Sequence, residues 1–240
     1  MKNPICISTG FLYRLMNDRN EMIRKIKEFS PDGIELSFAY PEYLSDFILS
    51  EENLKYLQSL KFISIHSPWK EISYENSQKC KDTLKAIEKL YKQIKAVNVI
   101  FHPEKINDFK ILKNYDFAAS IENKDWRYNS VNTVEKIEAI LNENKNLKFT
   151  FDFAHALTVS SDDIPVYINK FKDRLITIHL SMLNKNLKDH WFLYKYDSKE
   201  MRDLLSHLKN IDVPIVLECV ASDWSEVLLI KKEIEYIKKI

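Results

Sequence analysis

An α/β fold, a single (β/α)8 TIM barrel spanning residues 1–240, is what this sequence predicts, and three observations predict it. Eight short β-branched, apolar runs recur along the chain. Stretches of helical spacing separate most of them. Only two glycines occur, Gly10 and Gly33, with no glycine-serine linker to divide the chain into domains. A doubly wound open sheet is the competing arrangement. It more often opens on a glycine-rich first turn, and neither GxGxxG nor a Walker-type loop is present.

The strand runs fall at 5–8, 33–38, 62–66, 97–102, 117–122, 149–152, 175–179 and 214–218. Between the third and fourth, Leu84, Ile87, Leu90, Tyr91 and Ile94 form one apolar stripe at helical period. Val134, Ile137, Ile140 and Leu141 form a second, between the fifth and sixth. Met201, Leu204, Leu205 and Leu208 form a third, before the eighth. Ser161-Asp162-Asp163 and Ser222-Asp223 are expected N-caps. Only fourteen residues separate His102 from Phe117, so the fourth helix must be short or irregular.

Composition narrows the function. Lys+Arg number 36 and Asp+Glu 35, a formal net charge of +1, with 45% hydrophobic residues. That balance excludes a disordered chain and the strongly basic coat of a non-specific nucleic-acid binder. No apolar stretch approaches the ~18 residues of a membrane span, and the first residues lack a signal-peptide core. Cys6, Cys80 and Cys219 are odd in number, far apart and form no CxxC. The expectation is a cytoplasmic protein without disulfides.

The chemistry lies at the strand ends. His66 ends the third run, His102 the fourth, Glu122 the fifth and Asp152 the sixth, with His155 three residues later. His179 ends the seventh and Glu218 the eighth. In a (β/α)8 barrel these ends meet at one face. Carboxylates crowded there repel one another and lose solvation unless a cation compensates. A divalent metal is the economical answer. Imidazole and carboxylate ligands without thiolates suit Zn2+ or Mn2+, or Co2+ or Fe2+, better than Ca2+. Seven donors exceed one tetrahedral site: Glu122, Asp152, His179 and Glu218 could hold one ion, and His66 and His102 a second, with Glu122 bridging.

The runs Ser64-Ile65-His66-Ser67-Pro68, Phe101-His102-Pro103, Ile121-Glu122-Asn123, Asp152-Phe153-Ala154-His155, Ile178-His179-Leu180 and Leu217-Glu218 resemble the xylose isomerase-like TIM barrels. That superfamily joins endonuclease IV (AP endonuclease family 2) to sugar isomerases and epimerases. The endonuclease IV resemblance implies a phosphoester hydrolase acting on abasic DNA. His66, His102 and Glu122 would bind a first metal; Glu122, Asp152, His179 and Glu218 a second; and His155, with an Asp-x-His pair after strand seven, a third. The epimerase resemblance implies one metal on Glu122, Asp152, His179 and Glu218. Glu122 and Glu218 would move protons on a small sugar (phosphate) substrate, and His155 would bind a hydroxyl. His66 and His102 put the hydrolase reading first. The chain departs from it after strand seven, reading Lys188-Asp189-His190-Trp191, with His190 as the candidate ligand.

Trp69, Trp126, Trp191 and Trp224 all follow strand ends and are expected at the barrel mouth; Trp69 matches an aromatic that in endonuclease IV enters the DNA. Trp69, Trp126, Arg127 and Glu35, the last in a Gly33-Ile34-Glu35-Leu36 run resembling the sugar-isomerase branch, are the expected substrate contacts. Lys124, Arg127, Lys185 and Lys188 lie in the same loops, where solvated surface charge is the ordinary reading and phosphate contact the sharper one. His207 belongs to a helix surface, and Cys219 turns away from the pocket by strand alternation.

Overall fold

The computed structural model describes residues 2–183, 190–209 and 211–240. β1 (Ile5–Ser8) pairs in parallel with β2 (Gly33–Ser37), and the ladder continues through β3 (Phe62–His66), β4 (Asn98–Phe101), β5 (Ala119–Glu122), β6 (Lys148–Asp152) and β7 (Leu175–Leu180). A short antiparallel ribbon, β8 (Met182–Leu183) with β9 (His190–Trp191), follows. The cylinder closes where β10 (Ile215–Leu217) pairs with both β7 and β1. This is the expected eight-stranded barrel; two expected strand-end residues, His102 and Glu218, sit one position beyond their strands.

The helices are α1 (Arg19–Lys27), α2 (Pro41–Ser45), α3 (Glu51–Ser59), α4 (Gln78–Ile94), α5 (Val134–Glu143), α6 (Phe153–Val159), α7 (Asp163–Phe171), α8 (Lys199–Ser206), α9 (Trp224–Val227) and α10 (Ile230–Lys239). The three apolar stripes become the buried faces of α4, α5 and α8. Between β4 and β5 the short connection forms two 3-10 turns, Pro103–Lys105 and Phe109–Asn114. Asp223 caps α9 through Oδ1. Asp162 does not cap α7: its backbone is already helical, and no side-chain bond reaches the first turn. No helix among the described residues is long and apolar enough to cross a membrane.

Strand alternation sorts the side chains into an outer and an inner set. Outward residues such as Phe149 and Phe151 pack on Tyr167 and Phe171 of α7, with ring centroids 4.9 to 5.8 Å apart for the three closest pairs. Inward residues carry polar groups joined across neighbouring strands: Ser64 donates to Glu35 at 2.8 Å, Asn98 to Ser120 at 2.8 Å, and Ser120 meets Thr150 at 2.7 Å. One step farther along the same inward faces come His66, Glu122, Asp152 and His179. Gly33 makes the barrel wall possible at β2, because a Cβ there would stand 2.2 Å from the Phe62 carbonyl oxygen and 2.7 Å from Cys6 Sγ.

Candidate metal centre

In β7, Thr177 and His179 share the inward face, and the register sets His179 opposite Asp152 on β6. The imidazole is fully buried and held from behind: Nε2 donates to Glu35 Oε2 at 3.2 Å. Its Nδ1 then turns toward Glu122 Oε2 at 3.2 Å and Glu218 Oε1 at 3.3 Å. Asp152 divides its oxygens. Oδ1 accepts the His155 N–H at 2.7 Å and so caps α6, whereas Oδ2 is left free. Buried Glu122 Oε2, Asp152 Oδ2 and His179 Nδ1 all lack a hydrogen-bond partner, yet ligand atoms of these three residues lie within 4.8 Å of one another. Buried polar atoms are normally satisfied. Burial works against charge on His179, but Glu218, Glu35 and Glu122 outweigh it and hold the imidazole well above its usual range; a divalent cation among these close-set donors, with Glu218 beside them, would take over that role from the proton on Nδ1.

A second group, His66, His102 and Glu122, also converges within 4.8 Å, and a third comprises Asp152, His155 and His190. Each of these histidines is backed by an acceptor: His66 Nδ1 by the Ser67 carbonyl at 3.2 Å, His102 Nδ1 by Glu104 Oε1 at 3.2 Å, and His155 Nδ1 by the Asn123 carbonyl at 3.0 Å. His190 Nδ1 pairs with Ser181 Oγ at 2.6 Å. Such backing fixes the ring orientation that a metal ligand or a substrate contact requires.

Lys124, read from sequence as solvated charge, is 2% exposed. Its Nζ lies 2.6 Å from Glu122 Oε1 and 3.2 Å from both ring nitrogens of His102. Burial works against charge on Glu122, but Lys124 and His102 outweigh it and hold the carboxyl well below its usual range. The opposite holds elsewhere. Burial, then Asp152, Glu35 and Glu122, push Glu218 well above the carboxylate range; burial and Glu122 push Asp152 up to about 7. Burial, then Lys124, lowers His155 well below the usual imidazole range, and burial brings His190 down to about 4.

The expected substrate contacts divide. Trp69 lines a cavity of about 580 Å3 above the cluster and stacks on His102, with centroids 5.3 Å apart and planes 20° from parallel. Arg127 lines its rim while bonded to Asp125 at 2.7 and 2.8 Å. Trp126 is half exposed and outside the cavity, as are Trp191 and Trp224. Glu35 does not reach the cavity either: it is wholly buried behind His179, because its inward position lies one layer below the strand ends. Lys185, Lys188 and Asp189 lie outside the described residues. His207 is exposed and Cys219 buried, its thiol pushed far up by burial. Sequence reasoning missed Glu104 and Asp125. A charged residue two or three positions beyond a candidate ligand was the available signal for both.

No protein-family model and no curated protein matches the sequence. Solved structures do. A probable 3-DHS dehydratase, AsbF, involved in petrobactin synthesis in Bacillus anthracis, superimposes with a TM-score of 0.71 at 15% identity over 99% of both chains. Endonuclease IV from Thermus thermophilus gives 0.70 at 12% identity over 99% of this chain and 100% of its own. A D-tagatose 3-epimerase-like protein gives 0.67 at 19% over 98% of both. The fold is that of the xylose isomerase-like TIM barrels. Hydrolase, epimerase and dehydratase all occur on this xylose isomerase-like frame, so reaction type must be argued from the site.

Proposed function

We propose that this protein is a metal-dependent isomerase or epimerase of a small sugar-like substrate, using one divalent ion, Zn2+ or Mn2+, held by Glu122, Asp152, His179 and Glu218. The observation that carries the reading is the approach of both Glu122 and Glu218 to His179 Nδ1, at 3.2 and 3.3 Å, beneath a cavity sized for a small molecule. A divalent ion held by this set would supply Lewis-acid polarisation of a carbonyl or hydroxyl oxygen.

The chain's own residues then divide the proton transfers. Glu122 is kept ionised by Lys124 and His102; with Oε1 held by Lys124, a lone pair of Oε2 not directed at the ion would serve as the base toward a substrate C–H. Glu218 is pushed toward its protonated form and returns a proton. Two carboxyl groups driven to opposite protonation states form an acid–base pair. His155 turns its Nε2 toward Asp125 and His190, where it can hold a substrate hydroxyl. Trp69 offers an apolar wall for a sugar face.

Endonuclease IV-like phosphoester hydrolysis is the second reading, favoured by the convergence of His66, His102 and Glu122 and of Asp152, His155 and His190. The test is to incubate metal-loaded protein with a ketose panel in D2O and, separately, with an abasic-site oligonucleotide. Deuterium at a sugar carbon with intact DNA is the expected result. Nicked DNA without sugar exchange would replace this proposal with the hydrolase.

A further inference from the structure

We infer that the Lys124 ammonium is the resident cation of the His66–His102–Glu122 triad and reserves the inner set as the protein's one metal site. The local sequence forces this placement. β5 ends at Glu122, and alternation returns the next inward position at residue 124. Asn123 points the other way and is clamped in both directions to the Asp152 backbone, Nδ2 to the carbonyl at 2.9 Å and Oδ1 from the N–H at 2.8 Å. With Asn123 pinned, the Lys124 side chain lies in the cavity wall and is 3% exposed.

Its head group lies against the outer triad. Nζ is 2.6 Å from Glu122 Oε1 and equidistant, at 3.2 Å, from both nitrogens of His102, so it stands over the ring rather than at one lone pair. Trp69 stacks on the same ring, and the acid Glu104 supports it at Nδ1. The two oxygens of Glu122 are thereby assigned to different cations: Oε1 to the ammonium, Oε2, without a partner, to the inner site. A buried lysine must keep its charge compensated. A divalent ion at the outer triad would stand beside a like charge and compete for the same oxygen. Histidine and carboxylate ligands with suitable spacing therefore persist there without serving a second ion.

The bland alternative is that Lys124 merely neutralises Glu122 and swings aside when metal arrives. The inference deepens the single-metal reading and rests on it, so the test separates the two. Metal-free wild type, Lys124→Met and Lys124→Met/His66→Ala are loaded with Co2+, desalted and analysed for bound metal and for the visible Co2+ absorption. The expected outcome is one ion in wild type, two in Lys124→Met with a second absorption envelope, and one again in the double variant. Lys124→Met remaining at one ion overturns the role given to Lys124. Two ions in wild type overturn it as well, together with the single-metal reading. No ion in wild type but one in Lys124→Met removes the single-metal reading while supporting the displacement of metal by Lys124. Should the methionine variant not fold, anomalous diffraction from Co2+-loaded wild-type crystals decides: a peak among His66, His102 and Glu122 refutes the inference, and a peak confined to the inner set supports it.

Discussion

Glu35 Oε2 meets His179 Nε2 at 3.2 Å across 144 residues of sequence, and both side chains are wholly buried. The carboxylate also accepts from Ser64 Oγ at 2.8 Å. Burial disfavours its charge, but His179 and its hydrogen bond outweigh that and hold Glu35 below the usual carboxylate range. Glu35 therefore fixes the tautomer that presents His179 Nδ1 to the cluster. A residue read as a substrate contact lies behind His179 and orients its ring.

Glu35→Ala should weaken Zn2+ or Mn2+ affinity about 10- to 100-fold, the usual effect of losing an acceptor behind a metal-binding histidine. Glu35→Gln, whose amide oxygen still accepts from Nε2–H, should recover much of that loss. Competition with a chromogenic chelator measures it. Equal affinity in the alanine variant would mean that His179 is oriented by packing alone.

Asp152→Asn and Glu218→Gln should fold normally and lose bound metal together with activity. In Asp152→Asn the amide oxygen can still cap α6, and a neutral group at either position relieves repulsion among buried carboxyls that lack a counter-ion. Metal-free protein should thus gain about 1 kcal/mol, or roughly 2–4 °C in Tm for a chain of this size. Calorimetry of chelator-treated samples checks this. Either variant melting well below wild type would show that these acids stabilise the fold rather than burden it.

The barrel was legible because buried parallel strands read as β-branched apolar runs and the helices between them as amphipathic stripes; residues 62–66 and 5–8 coincide with β3 and β1. Glu122, Asp152 and His179 were legible because the topology carries every strand end to one face. Lys124 was not, because only the clamp between Asn123 and Asp152, two segments distant in sequence, turns it inward. Glu35 lies deeper than its sequence position suggests for a related reason: strand parity gives its direction but not its depth, and it sits one layer below His66, Glu122, Asp152 and His179. Trp126 follows a strand end as Trp69 does, yet its loop turns it to solvent. Proximity in sequence to the active face does not fix orientation.

Far from the metal centre, Glu233 of α10 makes stability depend on pH. Its two oxygens accept the Leu193 and Tyr194 backbone N–H groups at 2.8 and 3.0 Å, but burial prevails and raises its carboxyl from 4.5 to about 7. Between those values the folded state holds a proton that the unfolded chain has released, so stability falls as pH rises and the penalty is complete above about 7. The shift corresponds to at most about 3 kcal/mol. Relative to Glu233→Gln, wild type should be most stable near pH 4 and lose on the order of 3 kcal/mol by pH 8. Urea titrations of both proteins across that range measure it; a constant difference between them would remove the titration from the account.

Arg19 bears on what the cavity accepts. Its guanidinium packs between Phe38 and Tyr43, 4.7 and 5.0 Å from the ring centroids, and Nε donates to the Ser37 carbonyl at 3.1 Å. It lines the cavity, and among the described residues no acid lies within ion-pair distance of it. Burial brings its pKa down to about 10, which still leaves it charged at neutral pH. A pre-oriented cation lining the cavity over the Glu122, Asp152, His179 and Glu218 cluster is suited to a phosphate or carboxylate at the far end of a substrate. A charge-assisted hydrogen bond is worth about 1.5–3 kcal/mol. Arg19→Ala should accordingly raise KM for a phosphorylated sugar roughly 10- to 100-fold while leaving kcat within a few-fold, and should change KM for the matching neutral sugar little. Steady-state kinetics on such a pair decides it, and equal losses on both substrates would reduce Arg19 to a structural tie between α1 and β2.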